Sequence, residues 1–142
     1  FGIKIMSNIN KILVCEEKSK KFILVTNGFN FSKEKLDDTI DNSNKECDYL
    51  ITNSSQHIQI FIELKGNKAE YAFKQILSSY EKYKTQDSKA FAGIVSSSIP
   101  QKNSSFLVWQ KRVNGYFKKV FIKNKILETK YNPNTNDIEK IN

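Results

Sequence analysis

Asp48, Glu63 and Lys65 have the residue types and the spacing to hold a divalent cation beside a phosphate. They lie in one stretch, CDYLITNSSQHIQIFIELKG, from Cys47 to Gly66. Cys47 to Thr52 is apolar and rich in β-forming residues, Asn53 to His57 has turn chemistry, and Ile58 to Leu64 alternates. The alternation puts Ile58, Ile60, Ile62 and Leu64 on one face and Gln59, Phe61, Glu63 and Lys65 on the other. Folding the two runs as a hairpin about Ser55 and Gln56 sets Asn53 against Ile58, Tyr49 against Ile62 and Asp48 against Glu63. Directly opposed residues of an antiparallel pair have Cβ atoms roughly 4.5 to 5.5 Å apart. The expectation is two carboxylates and an ammonium on one side of one hairpin.

Two adjacent carboxylates repel, and folds avoid the arrangement unless a proton or a cation sits between them. A hard divalent cation suits the pair, because magnesium takes oxygen ligands, usually one or two carboxylates with waters and substrate phosphate. Asp48 and Glu63 are therefore the candidate metal ligands, with the Leu64 carbonyl as a further oxygen and Mg2+ or Mn2+ as the expected ion. Lys65 would orient or deprotonate a water on that ion, or stabilise charge building on a phosphate. The structural alternative puts Glu63 and Lys65 on a solvated strand face and Asp48 at a strand edge.

The elements around this hairpin must hold it in place. Lys21 to Thr26 (KFILVT) predicts a strand, and Asn10 to Glu17 predicts the end of a helix or an outer strand. Asn27-Gly28 signals a turn, and Phe29 to Asn44 reads as a polar connection with a short helical turn near Ser32 and Glu34 to Leu36. After Gly66, Ala69, Ala72, Phe73, Ile76, Leu77 and Tyr80 recur at helical steps, predicting an amphipathic helix over Lys68 to Tyr83 with Asn67 as N-cap. Lys89 to Ser98 (KAFAGIVSSS) predicts a buried strand, parallel to the Glu63 strand because a helix separates the two. Ser104 is the expected N-cap of a helix over Phe106 to Tyr116. Val120 to Lys130 predicts one more strand, or a hairpin about Asn124.

The order Asp48, fourteen residues, then Glu63-Leu64-Lys65, inside two consecutive strands with Gly66 and a helix after them, resembles the PD-(D/E)XK nuclease superfamily. The likeness covers residues 47–98, and Cys47 stands where the superfamily's name has proline. The resemblance implies an α/β fold with a restriction-endonuclease-like αβββαβ core, a mixed central sheet flanked by helices. It also implies hydrolysis of DNA phosphodiester bonds with magnesium or manganese, in restriction, phage defence or DNA processing. Asp48, Glu63 and Lys65 would be catalytic, and Gln75 would support the site or touch DNA from the following helix. An early carboxylate, Glu16 or Glu17, would complete the set, although surface charge among neighbouring lysines also explains both. Asp37, Asp38 and Asp41 are further acidic candidates, read as loop residues. The alternative within the same fold is an inactive nuclease-like domain that binds nucleic acid or protein.

Composition bounds these readings. The 142 residues suit one nuclease-like domain over 1–142, with residues 132–142 expected as a loosely ordered tail. Net charge is +8, which suits DNA as partner, but lysine supplies 22 of the 23 basic residues and Arg112 is the sole arginine. Contacts are thus expected to be to phosphate rather than to base edges, from Lys68 and Lys74 on one helix and Lys111 and Arg112 on the next. A subunit this small spans little duplex, so a homodimer or a larger protein partner is expected. Cys15 and Cys47 are too few for a zinc site, no signal-peptide pattern follows FGIKIM, and no apolar run reaches the 18 or more residues of a membrane span. The expected location is the cytoplasm, with no membrane partner. His57 falls in the hairpin turn and is read as a surface residue.

Overall fold

The computed structural model describes residues 11–36, 46–64, 69–98 and 101–142, so Asp37, Asp38, Asp41, Lys65, Gly66, Asn67 and Lys68 lie outside the described residues. In chain order the elements are β1 (Ile12–Glu17), β2 (Lys20–Val25), β3 (Ser32–Lys35), β4 (Tyr49–Asn53) and β5 (Ile58–Glu63). Then come α1 (Ala69–Tyr83), β6 (Lys89–Ser96), α2 (Ser104–Asn114), β7 (Lys119–Asn124), β8 (Ile126–Asn132) and β9 (Asp137–Lys140). They build two mixed sheets, a five-stranded one ordered β3-β4-β5-β6-β7 and a four-stranded one ordered β1-β2-β8-β9. The class is α/β, and among the described residues no helix is long and apolar enough to cross a membrane.

β5 is the middle strand of its sheet, and all six of its side chains are buried. Its alternation decides the layering. Ile58, Ile60 and Ile62 join Phe91 and Val95 against Phe22, Leu24, Leu127 and Tyr131 of the second sheet. Phe61 joins Leu50, Ala92 and Ile94 against Phe73 and Ile76 of α1 and Phe106 and Val113 of α2. Each such aliphatic or aromatic side chain stabilises the fold by about 1.5 to 3 kcal/mol on burial. The sheets approach so closely at Gly93 that a Cβ there would lie 2.7 Å from the Phe22 ring. β4 and β5 pair in the register that the turn and the alternation predict, Tyr49 with Ile62 through Asn53 with Ile58. β6 lies parallel to β5, as the intervening helix requires.

Several expectations give way. The central sheet carries helices on one face only among the described residues, because the four-stranded sheet covers the other. Residues 32–35 form strand β3 rather than a helical turn; all four side chains are exposed, and the strand is held by backbone pairing with β4 and by polar contacts such as Lys33 Nζ to the Val14 carbonyl at 2.7 Å. Asn103 caps α2 in place of Ser104, its Oδ1 accepting from the Phe106 N–H at 2.9 Å. β7 and β8 do not form a hairpin. β7 pairs with β6 in one sheet and β8 with β2 in the other, and the chain crosses between them at Lys125, whose φ is 65°. Finally, residues 132–142 are not a loose tail: β9 pairs antiparallel with β8 and buries Ile138.

Candidate functional site

The β4–β5 ladder ends at Tyr49 and Ile62, and the next opposed pair is Asp48 and Glu63. Here side chains replace the backbone ladder. The Asp48 N–H donates to Glu63 Oε1 at 3.1 Å, and the Leu64 N–H donates to Asp48 Oδ2 at 2.7 Å. Each carboxylate thus takes an N–H from the opposite strand, which holds the two acids face to face. Both are fully buried. A carboxylate oxygen with one N–H bond keeps a further lone-pair direction, so the pair retains acceptor capacity.

Gln75, the site residue contributed by a helix, is brought to the same place. Its amide nitrogen donates to Glu63 Oε2 at 2.8 Å and to the Tyr71 carbonyl at 3.2 Å. The opposite amide orientation would aim its oxygen at those two acceptors and keep only a 3.5 Å contact to the Glu46 carbonyl, so the nitrogen faces Glu63. Both Glu63 oxygens are therefore oriented, one by β4 and one by α1. Leu64 reaches the pair through its N–H while its side chain fills the core between the sheets. Lys65 and Lys68 lie outside the described residues.

A third buried carboxylate, Glu46, is one that sequence reasoning missed. It is committed elsewhere: Lys82 Nζ meets its Oε1 at 2.5 Å and the Tyr83 hydroxyl donates to its Oε2 at 2.9 Å. The hydrogen bond to Glu46 holds the Lys82 ammonium above the usual lysine range, and burial, with the same carboxylate, raises the Tyr83 phenol. These contacts fasten the residue before Cys47 to the end of α1, and the Cys47 N–H donates to Ser79 Oγ at 2.8 Å. Burial pushes the thiols of Cys15 and Cys47 up to about 12, and negative charge on Asp48 raises both. One thiol belongs to each core layer, so Asp48 acts at the seam between the layers.

The donor set fits a hard cation of the magnesium type held by two carboxylates, with its remaining positions left to water. Among the described residues no group of three or more His, Cys, Asp or Glu side chains is arranged to hold a metal ion. Glu16 is an exposed partner of Lys21 at 3.7 Å, and Glu17 ends the edge strand β1; neither contacts Asp48 or Glu63 among the described hydrogen bonds. His57 pairs with Asp87 at 3.1 Å on the surface.

Of the expected nucleic-acid contacts, Lys74 lies on α1 and Lys111 and Arg112 on α2, while Lys68 is outside the described residues. Lys74 Nζ lies 5.8 Å from the centroid of the Tyr71 ring and 5.4 Å from that of Trp109. The Arg112 guanidinium lies 5.1 Å from the same Trp109 ring, and Lys111 is exposed next to it. Aromatic interleaving was the feature that charge counting missed; its signal was Tyr71 three residues before Lys74 and Trp109 three before Arg112. No protein-family model, curated protein or solved structure matches the chain.

Proposed function

We propose that the chain is a metal-dependent nuclease that hydrolyses DNA phosphodiester bonds, with Asp48 and Glu63 as ligands of Mg2+ or Mn2+. The observation that carries the reading is the buried carboxylate pair, each acid accepting a backbone N–H from the opposite strand, with Gln75 on Glu63. Supporting it in part, among the described residues β3, β4, β5, α1 and β6 run strand, strand, strand, helix, strand, which matches the implied αβββαβ order after its leading helix; strands β1 and β2, not a helix, precede β3 there.

In this reading the chain's own groups divide the work. The Asp48 and Leu64 N–H groups and the Gln75 amide fix the two carboxylates in one orientation, so that two acceptors converge without further rearrangement. Gln75 acts through Glu63 and is a positioning residue. Lys65, two residues after Glu63 in the sequence, would hold a proton or a phosphate charge near the attacking water. When bound, the metal polarises the phosphoryl oxygen and acidifies its water. The decisive assay is nicking of supercoiled plasmid and cutting of single-stranded DNA at low salt with Mn2+, on the parent chain and on Glu63→Gln. Cutting by the parent alone is the expected result. No cutting by either at any metal concentration would overturn the reading.

The reciprocal N–H bonds also favour a second reading, in which the acids simply fasten the open end of the hairpin. It predicts that both neutral variants, Asp48→Asn and Glu63→Gln, unfold at lower temperature and that no divalent metal changes the midpoint.

A further inference from the structure

Tyr71, Lys74, Trp109 and Arg112 form one cluster across two helices. Lys74 bridges the rings of Tyr71 and Trp109, and Arg112 lies over Trp109 from the same helix. Phe73 and Phe106 pack beneath them with ring centroids 5.4 Å apart, which fixes α1 against α2. The α2 side of the surface is positive, with no acid in its first turn and Lys111 and Arg112 in its last, while Glu70 stands in the first turn of α1; no ion pair among the described residues engages Lys74, Lys111 or Arg112. It is also aromatic at the surface, since Tyr71 is 58 % exposed. One helical turn joins it to the carboxylates, because the Gln75 amide bonded to Glu63 also donates to the Tyr71 carbonyl.

Duplex nucleic acid offers a surface phosphates but hides the faces of its bases, and lysines alone suffice to meet it. An exposed ring and a half-buried one set among cations suit a different ligand, a strand whose unpaired bases stack while its phosphates lie on the cations; each stacked base contributes about 1 to 3 kcal/mol. We infer that Tyr71, Lys74, Trp109 and Arg112 form a docking surface for single-stranded polynucleotide, which delivers an unpaired strand to the Asp48–Glu63 pair. The inference rests on the nuclease reading for what the strand is delivered to, but the binding itself needs no metal.

Trp109 is the sole tryptophan, so its emission reports directly on this surface. The test titrates the whole chain in EDTA with an oligodeoxythymidylate of about 12 nucleotides, within the range of known single-strand sites, and with a hairpin duplex of equal phosphate number. The expected result is quenching of Trp109 by the single strand at a Kd about tenfold or more below that of the duplex. Tyr71→Ala and Arg112→Gln should each weaken it severalfold, at an unchanged unfolding midpoint. Equal or tighter duplex binding, binding that leaves Trp109 emission unchanged, or no binding at low salt would each overturn the inference. Single-strand binding without cleavage in Mn2+ would sink the nuclease reading and leave the docking surface standing. Cleavage without binding here would do the reverse.

Discussion

The β4–β5 hairpin has two ends built from opposite kinds of chemistry. At its tip, beside the surface His57–Asp87 pair, the turn is closed by neutral groups: Asn53 Oδ1 accepts from Ser55 Oγ and the Gln56 N–H, both at 2.9 Å. The Asn136 side-chain amide donates to the Gln56 carbonyl at 3.0 Å, and the Tyr131 hydroxyl sits 2.7 Å from Asn136 Oδ1. Those contacts tie the turn to the β8–β9 turn of the other sheet. At the open end the fold instead places two buried acids against each other and holds them with N–H groups and Gln75. Neutral amides would close that end equally well without bringing like charges together. In the function proposed above, the acids at the second end serve to hold a metal, whereas the amides at the first serve the fold alone.

Substitutions can break or sharpen this contrast. The largest effect is expected from Gly93→Ala, which drives a methyl into the buried Phe22 ring and should destabilise the protein by about 1 to 3 kcal/mol. It disturbs the layer beneath both ends, so it lowers the unfolding midpoint in denaturant while leaving any metal response intact. Asn53→Ala removes the acceptor of two tip bonds at a buried position, and a loss of about 1 to 2 kcal/mol is expected by the same measurement.

Neutralising the open end should behave differently. Glu63→Gln keeps an oxygen for the Asp48 N–H, and a turn of the Gln75 amide lets its oxygen accept from the new side chain. In EDTA the variant is expected to unfold within about 1 kcal/mol of the parent or above it, since removing one of two like charges offsets any weakened hydrogen bond. A clear loss of stability would instead make that end a structural clasp. The thiols give a quieter check at the same seam. With both pushed up to about 12, neither Cys15 nor Cys47 should react with a thiol reagent at neutral pH until the protein unfolds.

The smallest effect involves the tip's neighbourhood. Burial raises Asp137, but the Lys119 hydrogen bond, the charges of Lys119 and Lys118 and the Ile138 N–H outweigh it and hold the carboxyl below its usual range. A carboxylate depressed in the folded state adds stability above its unfolded value, near pH 4, and loses that contribution as pH falls through the lower folded value. Asp137→Asn should therefore flatten acid unfolding below about pH 4 by less than about 1 kcal/mol, with no change in metal response.

The site hairpin was legible because three signals agreed: the isoleucine alternation, the turn residues and the need to keep Ile58, Ile60 and Ile62 on one buried face, which leaves no freedom to slip by one residue. The acids followed from that register. The second sheet was not legible, because β2 and β8 pair across about a hundred residues and nothing local in either strand names the other. β3 exposes every side chain, so no periodicity marks it. Gln75 came from the family likeness rather than from its own spacing. Glu46 was overlooked because its partners, Lys82 and Tyr83, stand at the far end of α1.

The most direct test of the account is thermal unfolding of the parent chain, Asp48→Asn and Glu63→Gln with increasing Mn2+. A native-state site adds about 2.7 kcal/mol of stability at a hundredfold excess over its Kd. The account predicts a midpoint for the parent that climbs with metal and flat midpoints for both variants. A parent that does not respond, or variants that respond as the parent does, would contradict the claim that Asp48 and Glu63 hold a metal.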